Sequence, residues 1–271
     1  MNKKIAIIIP TIHRDELLIR TLRSIFKVRE PSWQILVIDQ NKQEDDSEEK
    51  LYYYQQPPNH LTVIRTDYDI GISASRNLGV KFAKENKIPY CFITADSIEF
   101  TESTSGISKL AQQMNNTIMG EPLFTMASYD LIGLDLKNRR VGWEAKLKLI
   151  ENRHFELDFI DKNPEDYFPF VFTCDIVRNF FLATTKSLFQ VKWDENLKAC
   201  EHEDFFIRYK RTGFKVGWLD FLSGKYIGTR EGTYGKLREK NINECREILK
   251  KKYNLKGWVQ YKHLERAKEV L

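Results

Sequence analysis

The chain has no Cys-x-x-Cys pair, no Gly-x-x-x-x-Gly-Lys-Ser/Thr, and no Gly-x-Gly-x-x-Gly after its first predicted strand. These absences exclude a zinc knuckle or thioredoxin-type motif, a P-loop and a dinucleotide Rossmann fingerprint. Cysteine is scarce: Cys91, Cys174, Cys200 and Cys245 lie far apart among apolar or mixed residues. They read as small buried thiols of a reduced, intracellular protein. With 13 Gly and 8 Pro in 271 residues, collagen-like and low-complexity chains are excluded. No apolar run approaches the ~20 residues of a membrane span. The first run, residues 5–9, stops at Pro10 ahead of Arg14, Asp15 and Glu16, short of the ~7–15 residues of a signal-peptide core. Basic residues exceed acidic ones by only 43 to 38, a net +5, too slight an excess to argue for a nucleic-acid partner. The expectation is a cytoplasmic enzyme, or one peripheral at the inner face of the membrane.

What is present reads as an α/β chain. Hydrophobic residues make up 42% and charged ones 30%, enough apolar material for a core. Residues 5–9 form a β-branched run ended by Pro10, the pattern of a strand buried on both faces. Leu18, Leu22, Ile25 and Phe26 then repeat on one helical face, and residues 34–39 are a second buried strand ending on Asp39. Residues 40–60 read as a polar loop with a short helix. A third strand, residues 61–65, is followed by a helix carrying Leu78 and Phe82, capped by Ser73 or Ser75. Residues 90–94 form a fourth strand, and Ile107, Leu110, Ala111 and Met114 mark another helix. These βα units predict a doubly wound sheet. The middle, with alternating stretches at 124–136 and 147–159, reads as antiparallel or mixed β and loops. Residues 179–183 are strand-like, a short helix follows at 185–189, a helix at 203–212 ends at Gly213, and residues 214–219 return as a strand. From Lys236 the pattern is basic and helical.

Ligands in open α/β sheets bind at the carboxyl ends of the strands, so the strand exits are read together. Ile-Ile-Pro-Thr-x-x-Arg follows strand one, Val-Ile-Asp ends strand two, and Gly71-Ile-Ser-Ala-Ser-Arg-Asn-Leu-Gly79 opens the third helix. In that order, followed by an Asp-bearing exit and by Glu203-Asp204, they resemble the nucleotide half of GT-A glycosyltransferases of family 2. The resemblance covers roughly residues 5–100 and 175–220. More locally, Asn179-Phe-Phe-Leu-Ala-Thr-Thr and His202-Glu-Asp-Phe-Phe206 are similar to the animal β1,4-N-acetylgalactosaminyltransferases. The fold this implies is a GT-A (Rossmann-like) doubly wound mixed sheet with a β/loop acceptor lobe. The GT-A domain would span residues 1–235, with a nucleotide half to about 117 and an acceptor half from about 118. Residues 236–271 would be a basic C-terminal helical appendage.

The activity the resemblance implies is inverting transfer of a hexose or N-acetylhexosamine from a UDP-sugar to a glycan or lipid-linked glycan. Lys-, Ile- and Asn-rich usage points to bacterial surface polysaccharide synthesis. Thr11, Asp39 and Arg76 would surround the uracil and ribose, with Arg14 and Asp69 on the same rim, and Asp39 could accept from uracil N3–H. Asp204 would be the general base that activates the acceptor hydroxyl, with Glu203 orienting sugar hydroxyls. Asn179 and Trp193 would face the acceptor, with Trp143 a further aromatic candidate. His202 reads as a supporting or structural histidine.

One exit departs from the family. Where an Asp-x-Asp normally ligates Mn²⁺ or Mg²⁺, this chain has Ala95-Asp96-Ser97. Asp96 is then the single metal-ligand position. Mg²⁺ does bind through one carboxylate with substrate phosphates and waters, but the stretch where a metal histidine is expected offers Lys225 and Arg230, which could neutralise phosphate directly. The basic C-terminal residues Lys236, Arg238, Lys240, Arg246, Lys250, Lys251, Lys252 and Lys256 read as the solvated face of a terminal helix, with Ile242, Cys245, Ile248, Leu249 and Trp258 inward. The sharper alternative is docking at an anionic membrane. Two other readings stay open: a sugar nucleotidyltransferase, whose Gly-rich first loop is absent from residues 10–14, and a non-catalytic nucleotide-sugar-binding module, suggested by the altered Asp-x-Asp.

Overall fold

The computed structural model describes residues 4–58, 60–115, 117–118, 121–122, 129–138, 144–151, 153–159, 171–229 and 232–263. The first half alternates strand and helix: β1 (Ile5–Thr11), α1 (Asp15–Val28), β2 (Trp33–Asp39), α2 (Glu48–Tyr54), β3 (Leu61–Arg65), α3 (Ile72–Glu85) and β4 (Tyr90–Ile93). β1, β2 and β4 are buried along their whole length, as their uninterrupted apolar runs require. All four strands are parallel, in the order β3-β2-β1-β4. Alternation along β1 divides the core into two layers. Ala6 and Ile8 meet Val80 and Ala83 of α3, while Ile5, Ile7 and Ile9 meet Leu18, Leu22 and Ile25 of α1. Gly79 permits the first contact, because a Cβ there would stand 2.6 Å from Ile8 Cγ2.

The second half continues with β5 (Ile98–Phe100), α4 (Ile107–Asn115), β6 (Thr117–Ile118), β7 (Glu121–Pro122), β8 (Leu131–Lys137), β9 (Ala145–Ile150), β10 (His154–Phe159), β11 (Phe172–Cys174) and β12 (Phe181–Thr184). It closes with α5 (Thr185–Val191), α6 (Glu201–Arg211), β13 (Val216–Tyr226), α7 (Gly232–Tyr253) and β14 (Val259–Lys262). β12 pairs antiparallel with β4 and extends the sheet through β8, β13 and β11, with β5 also on β13. The result is the mixed sheet expected, with helices on both faces. β14, β10 and β9 form a separate three-stranded sheet, where Phe155 packs edge-on against Tyr253 and Trp258.

Several local expectations are corrected. Neither Ser73 nor Ser75 caps α3: the capping position is Gly71 at φ +91, a left-handed geometry suited to glycine. Ser75 Oγ donates back to the Gly71 carbonyl at 2.9 Å, and Ser73 Oγ reaches across to the Leu197 carbonyl at 2.5 Å. α6 begins two residues early, at Glu201, while Gly213 at φ +83 donates to the Lys210 carbonyl as expected past its end. The strand expected at 214–219 runs on to Tyr226 because β5 pairs with its far end. α7 starts at Gly232, ahead of the expected boundary at 236, and Cys245 and Leu249 pack on Leu197 and Ala199. Ile248, expected inward, is exposed. All four thiols are free, and Cys200 is only partly buried.

Candidate active site

The exits of β1 and β4, the start of α3, residues 198–199 and the first turns of α7 enclose one cleft. Thr11, Arg14, Asp69, Arg76, Asp96 and Asn179, all expected at the site, line it. The cleft is built from ion pairs. Asp96 is buried, its Oδ2 accepting from Thr11 Oγ1 at 2.9 Å and its Oδ1 facing Arg14 Nη1 at 3.0 Å. Burial pushes the Asp96 carboxyl up, against the pull of Arg14. Arg76 is fully buried and pairs with Glu201 at 2.5 Å. Asp69, at φ +51, pairs with Lys198 at 3.1 Å. Arg14 also lies over the Tyr234 ring, 4.1 Å from its centroid.

α3 joins this cleft to the far half of the chain. Lys198 packs on Gly71, Ser73 bonds Leu197, Asn77 bonds both backbone groups of Trp193, and Arg76 bonds Glu201. Glu201 was missed by sequence reasoning. It sits in the expected acidic motif, but only the contact with Arg76 distinguishes it. Its Oε1 accepts from Arg76 and, at 3.4 Å, from Asn179 Nδ2. The Arg76 charge holds the Glu201 carboxyl below its usual range despite burial. Gln40, Lys198, Tyr226, Tyr234, Arg238 and Asn241 also line the cleft. The last three come from α7, where a basic pattern gave no hint of an inward role.

Other expected site residues stand elsewhere. Asp39 is fully buried and does not line the cleft. Its Oδ2 takes Lys50 Nζ at 3.0 Å, Tyr54 OH at 2.7 Å and Arg65 Nη1 at 3.2 Å, and its Oδ1 accepts from the Asn41 N–H at 2.9 Å. Lys50, itself buried, also holds Asp15 and Asp46. Asp39 therefore anchors the β2 exit. Asp204 is saturated in the same way. It is wholly buried on α6, with Arg208 Nη2 at 2.8 Å, Lys252 Nζ at 2.7 Å and Tyr253 OH at 2.7 Å. It ties α6 to α7 and is absent from the cleft lining.

Glu203, expected to orient sugar hydroxyls, also lies outside the cleft lining. Trp193 is buried and stacks on Phe205 at 4.3 Å, with Arg76 over its ring. It supports Arg76 from beneath and offers no open face to an acceptor. Lys225 lies on β13 facing Glu99 at 4.0 Å, half exposed and outside the cleft lining, because its strand register turns it towards β5. Arg230 and Trp143 lie outside the described residues.

Burial pushes the Glu203 carboxyl to about 7, with Glu201 and Cys200 near it and Arg246 and Tyr261 facing it from α7 and β14. An acid held above its unfolded value favours folding most when protonated. Its contribution is complete below about pH 4.5 and is lost as the pH rises to about 7. Glu203→Gln should abolish that slope and raise stability above pH 7 by on the order of 3 kcal/mol. Urea midpoints at pH 5 and pH 8 test this; a mutant as pH-sensitive as the parent would refute it.

A divalent metal does not fit this donor set. Asp96 is the one carboxylate at the expected position, and both its oxygens are already engaged by Thr11 and Arg14. Among the described residues no three His, Cys, Asp or Glu side chains gather to hold a metal ion.

Residues 6–119 match the family described as glycosyl transferase family 2. No curated protein matches the chain in sequence. Among solved structures, GalNAc-T7 with UDP, GalNAc and Mn²⁺ superposes at TM-score 0.59 and 12% identity, over 83% of this chain and 43% of that one. S. aureus TarS 1-349 in complex with UDP-GlcNAc gives 0.58 and 14%, over 93% of this chain and 67% of that one. S. aureus TarS 1-349 alone gives 0.54 and 12%, over 93% and 72%. The chain thus spans less than half the length of the GalNAc-T7 chain. Likeness at these identities is likeness of fold. Residues 6–119 thus resemble glycosyl transferase family 2, and the chain as a whole has the GT-A glycosyltransferase fold.

Proposed function

We propose that this chain transfers a hexose or N-acetylhexosamine from a UDP-sugar to a hydroxyl of a glycan or lipid-linked glycan, with inversion, in the synthesis of a bacterial surface polysaccharide. The observation that supports it most is the concentration of Arg14, Arg76 and Lys198 at one strand-exit cleft, where a nucleotide diphosphate binds in α/β folds. The UDP, UDP-GlcNAc and GalNAc in the two superposed glycosyltransferases point to an N-acetylhexosamine donor. In the transfer, the acceptor oxygen forms a bond to the anomeric carbon as the bond to the β-phosphate oxygen breaks. UDP leaves with that electron pair, and the acceptor proton passes to a carboxylate. Of the acids near the cleft, Glu201 is the one assigned this role here. Arg76 holds its carboxyl below the usual range, and from just outside the lining it contacts Arg76 and Asn179. Nearby negative charge also favours the oxocarbenium-like transition state.

The test is a thermal-shift comparison of UDP, GDP, TDP and CMP, followed by release of UDP from UDP-GlcNAc without acceptor. UDP should stabilise the fold most, since a ligand at ~100 times its Kd adds about 2.7 kcal/mol. Equal shifts from GDP would sink the uridine assignment. Binding with no UDP release, alone or with glycan acceptors, would favour a non-catalytic module.

For membrane contact, no described helix is long and apolar enough to cross a bilayer. The exposed lysines of α7 remain the basis for proposing a peripheral location.

A further inference from the structure

Four cationic and two acidic side chains, Asp69 and Asp96, line the cleft, and Glu201 stands just outside that lining. Arg14 is paired with Asp96, Arg76 with Glu201 and Lys198 with Asp69. Arg238, from the second turn of α7, has no ion pair with a carboxylate among the described residues. Its hydrogen bond runs from Nη1 to Tyr234 OH at 3.4 Å. The Arg14 and Arg76 Nε atoms are buried without a hydrogen-bond partner. A cleft with a guanidinium that no carboxylate touches, faced only by the more distant Glu201 charge, and with two further unused N–H donors is arranged for a polyanion, because buried donors left unmatched are costly.

We infer that α7 is part of the donor site and that Arg238, with Arg14, neutralises the donor diphosphate in place of a divalent cation. This rests on the UDP-sugar reading above. The helix is held over the strand exits at three points. Tyr234 lies against Arg14, Asn241 Nδ2 reaches Asp69 Oδ1 at 3.4 Å, and Cys245 Sγ accepts from the Ala199 N–H at 3.4 Å. Arg14 meanwhile occupies Asp96, the carboxylate at the expected metal position. Guanidinium groups present fixed N–H forks that suit phosphate oxygens, so the arrangement supplies charge and direction without an ion. The role is specific to the diphosphate: Arg238 adds binding energy for the β-phosphate and none for the nucleoside.

The experiment uses the full chain after exhaustive EDTA treatment, and measures calorimetric affinity for uridine, UMP and UDP with and without Mn²⁺. The expected result is UDP affinity that changes less than threefold on adding Mn²⁺. In Arg238→Gln, UDP binding should fall about 10- to 100-fold, as for a charged hydrogen bond, while uridine and UMP binding hold within threefold. Arg238→Lys should recover part of the loss. Three outcomes would overturn the inference: UDP binding that needs Mn²⁺, UDP binding unchanged in Arg238→Gln, or equal losses for uridine and UDP, which would make Arg238 a support for α7 alone. Failure of UDP to bind the parent chain under any condition would instead overturn the donor reading beneath it.

Discussion

Asp204→Asn should cost stability and spare chemistry. The carboxylate is fully buried and receives Arg208, Lys252 and Tyr253. Asparagine keeps the size and removes the charge, leaving two cations facing a neutral group. Breaking such a pair on one side costs about 3–5 kcal/mol when buried. Here Arg208 and Lys252 are partly exposed and water will relieve some of that, so about 3 kcal/mol is expected. Urea denaturation should show a lower midpoint with an unchanged slope. Transferase activity per folded molecule should stay within a few fold. A mutant of parental stability whose turnover drops a hundredfold would return Asp204 to the catalytic role that sequence assigns it.

Glu201→Gln should give the larger kinetic effect. Loss of a general base or of a transition-state anion lowers turnover by ~10²–10⁴. Glutamine can still accept from Arg76 and Asn179, so UDP affinity should change little. The comparison of turnover with UDP binding decides the role. A fall in kcat with UDP affinity intact fits a group acting on the acceptor. Parallel loss of both would show that Glu201 only positions Arg76. Turnover within tenfold of the parent would remove it from the mechanism.

The nucleotide half was legible because its signals are local. The unbroken apolar runs of β1, β2 and β4 fix a buried parallel sheet, and the Leu18, Leu22, Ile25 stripe fixes the helix beside it. The strand exits then placed Thr11, Arg14, Arg76 and Asp96 on one rim, as found. The unexpected placements have a common cause. Whether Asp39 faces a ligand or Lys50, and whether Asp204 faces a cleft or Lys252, depends on partners that the motif does not contain. An acid at a strand end or helix start looks the same in sequence whether it is open or saturated. Likewise the basic pattern of α7 shows which residues are charged, but not that Arg238 turns towards the strand exits while Lys240 and Lys251 face water. Ser73 and Ser75 read in sequence as helix caps, yet Ser73 and Gly71 do other work. They serve instead as a landing place for residues 197–198.

That landing place is made of contacts that are entropically costly to close early. Ser73 meets Leu197 across 124 positions, Arg76 meets Glu201 across 125, and Asn77 meets Trp193 across 116. Each closes a long loop whose entropy must be lost before the contact returns anything. The β3-β2-β1-β4 sheet with its two helical layers needs none of them and can form first. The cleft is then absent from any intermediate in which only that sheet has formed. A donor molecule bound at this seam holds contacts made late in folding, and so lengthens the life of the native state without hastening its arrival.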